Sequence, residues 1–277
     1  MTRGVAVVAG VLLAGGALHA QQRQAFSVER TTLPTNNLSV IVRHDIGQFS
    51  IQPASDSVRY RATLRYDARA VEPIYRYAAD SGSLRIGTRE RQGRRGSDAS
   101  RRSELELALG STGVLAIDVR AGAAESDLNL GGLPITTLAV SSGASDMRVR
   151  FDRPNPVRMK NMTLSTGAAS VVADQLGNAN VETMLVRASV GEMHLDFSGT
   201  WSGETELRTE VTLGTVTIHV PVDVGVYVEP SRVLAGFSHE GLKNRGAAWV
   251  SDNWESAPRK LRVYAQTLFG YLTIDRR

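Results

Sequence analysis

IDVRAGAAESDL (117–128), LAVSSGASDMRV (138–149), MTLSTGAASVVA (162–173), VRASVGEMHLDF (186–197) and TEVTLGTVTIHV (209–220) are five copies of one pattern. Each has a glycine in sixth place, and AQTLFGYLTIDR (265–276) is a later copy. The glycines of the first five, Gly122, Gly143, Gly167, Gly191 and Gly214, are 21, 24, 24 and 23 residues apart. A period in this range marks a stacked repeat, because one such unit is too small to bury its own apolar face. Four residues after each glycine stand Ser126, Met147, Val171, Leu195, Ile218 and Ile274, and the positions between are mostly polar. Period two is the signature of a strand with one wet face and one buried face. Each copy therefore reads as two short strands around a tight bend where glycine allows a sharp change of direction. The expected fold is all-β, an elongated β-solenoid of stacked short strands with about 21–24 residues per turn. In that alignment Ser170 and His194 share one column, and Asp196 and His219 share another.

Outward from the repeats the pattern weakens. Strand-like pieces at Leu38–Val42, Gln48–Ile51, Tyr60–Tyr66, Ser83–Ile86 and Glu104–Leu109 suggest a β cap over residues 21–109, covering an edge that a bare stack would leave open. Residues 110–277 form the solenoid domain, with a looped insertion near 236–258. The strand copies Lys260–Ala265 and Tyr271–Asp275 are expected to close the far end. Residues 1–20 read as a signal peptide: Arg3, the uncharged run Gly4–Ala17, and Ala20 at the cleavage position. That run has 14 residues, short of the roughly 20 a spanning helix needs. No transmembrane segment is expected after cleavage.

Composition narrows the function. The chain has 277 residues, 26 glycines, 42% hydrophobic and 6% aromatic residues, and no cysteine. Without cysteine there is no disulfide framework, thiolate metal site or lipid-attachment thiol. The formal charge of +4 is mild and concentrates in the arginine-rich stretch 89–102, a solvated basic loop able to attract anions. Export argues against nucleic acid as a partner. The expected location is the periplasm, exterior or surface of a bacterium.

Further residues refine the family. Asp127–Leu133, Leu138–Asp146, Leu164–Ala169, Leu176–Asn180, Leu195–Gly199 and Leu213–Val226 resemble the toast-rack amino-terminal domain. That domain is related to the "putative adhesin" domains of unknown function and to cell-wall-active antibiotic-response proteins. The resemblance runs over about residues 105–275. It implies a β-solenoid envelope module and carries no catalytic residue onto any position here.

Candidate chemistry is sparse. Glu125, Asp127 and Asp146 share an outer face, as the two carboxylates of a glycosidase must, with Arg148 beside Asp127. Ser170, His194, Asp196 and His219 hold the residue types of a hydrolytic triad, but without a nucleophile elbow or an oxyanion hole. His44, His194, His219 and His239 lack metal-ligand spacing, and no phosphate loop is present, so no cofactor or metal is expected. Trp201, Trp249 and Trp254, with Tyr264 and Tyr271, suit either a stacking platform or a plug at the stack's end. The favoured reading is an exported, non-catalytic, adhesin-like or structural module. Its partner would be a glycan, an anionic envelope polymer or a protein. The alternatives are a secreted carbohydrate-active enzyme using Glu125, Asp127 and Asp146, and a periplasmic partner of an envelope-stress sensing system.

Overall fold

The structure, a computed structural model, describes residues 23–31, 37–92, 103–144 and 146–277. The stretch read as a signal peptide and most of the basic stretch lie outside the described residues.

Eight parallel rungs make the stack. In spatial order they are β2 (Leu38–Pro53), β7 (Leu115–Asn129), β8 with β9 (Ile135–Ser142, Met147–Arg150), β10 (Met159–Asp174), β11 (Val181–Asp196), β12 (Gly203–Val220), β16 (Arg259–Arg276) and β13 (Gly225–His239). Each rung bends near its middle, so residues before the bend build one wall and residues after it build a second. Like positions run through every rung. Val40, Ile117, Leu138, Met162, Met184, Leu207, Val263 and Val228 form one paired column, buried throughout. On the second wall Ile51, Leu128, Val149, Ala173, Leu195, Ile218 and Ile274 do the same. Strands about 4.8 Å apart thus bring apolar columns from two walls into one narrow core.

The bends come in two kinds. Gly122, Gly143 and Gly167 stand in one column, yet Gly191 pairs with Ala169, two residues beyond Gly167. Gly214 and Gly270 follow Gly191. The glycine alignment of the sequence therefore slips by two residues between the third and fourth copies. The inside–outside assignment survives because side chains alternate with period two, and a shift of two returns each to its own face. The glycine moves because the chain turns differently: Gly191, Gly214 and Gly270 have φ of 150°, 150° and 134°. A Cβ at Gly214 would collide with the Gly191 carbonyl oxygen, and one at Gly270 with that of Gly214.

At the N-terminal end each wall is extended first by one more strand parallel to β2 and then by antiparallel strands. β5 (Ser83–Glu90) and β4 (Val71–Ala78) continue the first wall from β2. β6 (Glu104–Leu109), β3 (Val58–Asp67) and β1 (Arg23–Thr31) continue the second. Aromatic rings close the gap: Tyr60 is fully buried, its hydroxyl 2.9 Å from that of Tyr75, and Phe26 packs on Tyr75. Strands β1 and β4 were not anticipated from sequence.

The other end departs from expectation. β13 runs to His239, four residues into the stretch read as an excursion, so the insertion starts at Glu240. β16 does not close the stack but lies between β12 and β13. The closing elements are β13 and the small strands β15 (Ala248–Val250) and β14 (Lys243–Arg245). Away from the bends, loops between rungs are tied by buried amides. Asn155 donates to Ile135 O (2.8 Å) and Ala179 O (3.2 Å), and Asn178 donates to Phe151 O (2.9 Å).

One buried titratable group sits at the first bend. His44 Nδ1 is 3.1 Å from Thr88 Oγ1 and its Nε2 is 3.4 Å from Ser103 Oγ. Thr88 and Ser103 flank the basic loop. Burial pushes the His44 pKa down to about 4.

Substitution tests the packing directly. Val171 and Ile218 are fully buried and Arg148 is exposed. Val171→Asp should cost several kcal/mol and unfold the chain in a thermal melt, because an unpaired carboxylate enters the core. Gly214→Ala should cost on the order of 2 kcal/mol from backbone strain alone, and Arg148→Ala should shift the midpoint little. For His44, the unfolded chain takes up a proton below about pH 6.5, while the folded chain does so only near pH 4. Stability is therefore lost as pH falls through that window, by about 3 kcal/mol from this residue. In urea titrations from pH 7 down to pH 4, His44→Gln should lack this share of the acid loss.

Candidate functional site

A shallow cavity of about 480 Å³ lies on the outer face of the second wall. Two outward ladders line it. The first runs Glu104, Gln48, Glu125, Asp146 and Ser170 across β6, β2, β7, the residue before β9, and β10. The second runs Glu106, Ser50, Asp127, Arg148 and Val172. Alternation sends these side chains outward while Phe49, Leu105 and Met147 between them turn into the core.

Five carboxylates thus share one face: Glu104, Glu106, Glu125, Asp127 and Asp146. Arg65 on β3 donates to Glu104 (3.1 Å) and Glu106 (2.8 Å), and Gln48 donates to Glu125 (2.9 Å). Arg148 stands in register with Asp127, but no ion pair within 4.0 Å joins them. Exposed ion pairs of this kind contribute little to stability, so the face is held by the sheet beneath it. Glu125, Asp127 and Asp146 are all exposed. Among the described residues no three His, Asp or Glu side chains are grouped to hold a metal ion.

The structure thus brings Glu125, Asp127, Asp146 and Arg148 together, and adds Glu104 and Glu106. The sequence had shown these two on a strand, Glu104–Leu109, without placing that strand beside β2.

The Ser–His–Asp grouping is not assembled. Ser170 pairs with Glu192 and His194 with Val172, because of the two-residue slip. Asp196 and His219 are in register, but Asp196 accepts from the Ser198 and Gln175 backbone N–H groups (3.0 and 3.3 Å). His219 Nδ1 lies 2.9 Å from Asp275, which also binds Arg277.

The tryptophans are spent on packing. Trp201 is 5% exposed, edge-on to Phe197, with Arg259 over its ring at 5.4 Å. Trp254 is 8% exposed, with Lys260 and Arg262 over its ring at 5.3 and 5.0 Å. Trp249 stacks on His239 at 3.5 Å and packs against the main core. Neither Trp201 nor Trp254 leaves a ring face for a ligand. No helix among the described residues is long and apolar enough to cross a membrane.

No curated protein matches the chain. Among solved structures, a "putative cell adhesion protein" from Clostridium sporogenes is 13% identical, aligned over 92% of this chain and 100% of its own, with a TM-score of 0.47. A "putative lipid binding protein" from Parabacteroides distasonis is 10% identical over 92% and 96%, TM-score 0.39. A "putative adhesin" from Bacteroides fragilis is 7% identical over 91% and 97%, TM-score 0.38. The sequence profile of the N-terminal domain of toast_rack, DUF2154, matches residues 19–172. That match overlaps the likeness noted from sequence over residues 105–172, extends it back over β2 and the N-terminal cap, and stops short of residues 173–275; with more than half of its length matched the chain belongs to the toast-rack N-terminal domain family.

Proposed function

We propose that the chain is an exported, non-catalytic module of the bacterial cell envelope that binds a partner through the carboxylate face of its second wall. The observation that carries this reading is the concentration of Glu104, Glu106, Glu125, Asp127 and Asp146 around one cavity in a chain whose formal charge is +4. A face of this sign repels an anionic envelope polymer and attracts a cationic protein segment or a glycan with donor groups. That moves the anionic-polymer reading away from this face. A binding role is favoured over glycoside cleavage by exposure. A glycosidase encloses the scissile bond between two facing carboxyl groups, and Glu125, Asp127 and Asp146 stand side by side on one open wall. The rigid sheet suits binding, since backbone hydrogen bonds hold every ladder position before a partner arrives.

The test is binding by the chain from Gln21 onward, on a glycan array and against a panel of basic peptides, beside Glu125→Gln/Asp127→Asn/Asp146→Asn. All three changes lie on the wet face, so the melting temperature should hold within a few degrees. Affinity for the parent's best ligand should fall at least about tenfold, and binding of a basic ligand should weaken with added salt. Equal binding by parent and variant would remove this face from the function. Turnover of an oligosaccharide by the parent, lost in the variant, would make the protein an enzyme.

A further inference from the structure

Along the bends of six successive rungs the surface is uncharged and gains apolar bulk toward one end. The four bend residues of six successive rungs read AGAA (121–124), SGAS (142–145), TGAA (166–169), ASVG (188–191), VTLG (211–214) and TLFG (267–270). None is charged, where a chain with 22% charged residues would place about five among twenty-four. The third residue of each is apolar and grows along the stack: Ala123, Ala144, Ala168, Val190, Leu213, Phe269. The last three are paired neighbours on β11, β12 and β16, exposed by 46%, 49% and 46%. Tyr271, 49% exposed, lies beside them against Gly236. These four are among the five large hydrophobic residues exposed in the described chain. Isolated exposed hydrophobics need no explanation, but neighbours in a row do.

The area of the ridge chooses the occupant. The ridge is a convex line of single side chains, about 10 Å from Val190 to Phe269 at the strand spacing. A flat or second-copy protein surface laid on it would bury far less than the roughly 800 Å² per partner of a stable interface. A medium that closes around each side chain gains from the ridge at once, as the headgroup–acyl boundary of a lipid layer does.

We propose that the bend edge is a membrane-surface contact, with Val190, Leu213, Phe269 and Tyr271 seated in the lipid interface. The reading is independent of the carboxylate face, which lies on the second wall. It is tested by flotation of the chain from Gln21 onward with phosphatidylethanolamine–phosphatidylglycerol vesicles at low and high salt. The parent should float at both, as apolar insertion persists when charges are screened. Val190→Ser/Leu213→Ser/Phe269→Ser should bind at least about tenfold less, and the carboxylate-face variant should float like the parent. Phe269→Trp, which keeps an apolar ring in place, should shift its emission to shorter wavelength when vesicles are added. A parent that stays with the unbound protein, a triple variant that floats like the parent, or a Phe269→Trp emission spectrum unchanged by vesicles would overturn the proposal. So would a parent that dimerises through these residues without binding vesicles.

Discussion

In-register parallel pairing holds equivalent side chains of successive rungs about one strand spacing apart, and the rest of the molecule depends on it. A single rung offers a handful of apolar residues on each wall and cannot exclude water. Eight rungs convert those residues into continuous columns such as Val40 to Val228, with the backbone polar groups satisfied between rungs. The same pairing sets out the surface. Any residue type that recurs at one offset becomes a ladder, so the sequence of a rung is written three times over, as core, as wet wall and as bend.

That redundancy made the interior legible from sequence. Met147, Val171, Leu195, Ile218 and Ile274 were assigned to the inside by parity alone, and all are buried. Parity tolerates the two-residue slip at Gly191, which is why the wrong column alignment still placed side chains on the correct faces. It does not protect any argument about which residues are neighbours. Ser170 and His194 were paired on paper by counting from glycines, and the chain separates them because the later bends put glycine two positions further along, at positive φ. Glycine marks the need for a bend, not the column in which the bend falls.

The carboxylate face shows a second limit. Glu125, Asp127 and Asp146 come from copies of the repeat, and their adjacency could be counted. Glu104 and Glu106 belong to β6, which follows a loop and joins β2 on its far side from β7. No period connects ELELAL to the repeats, so only the fold brings it alongside. The cap as a whole resisted reading for the same reason: its strands alternate parallel and antiparallel, and their order β1–β3–β6–β2 is unrelated to their order in the chain.

The exchange of the last two rungs follows from the interchangeability of columns. Leu207 of β12 meets Val263 of β16, and Val228 of β13 sits one rung further on; either valine would fill the place beside Leu207. Side-chain chemistry is therefore nearly silent on the order, and the topology must be decided elsewhere. Gly214 and Gly270 are 56 residues apart, against 23 for Gly191 and Gly214. The longer closure costs only about 0.8 kcal/mol more, since loop entropy grows with the logarithm of length. What favours β16 beside β12 is continuity of the bend: Gly270 seats against the Gly214 carbonyl, a site with no room for a Cβ. Placed outermost, β13 leaves its first half free to pair with β15.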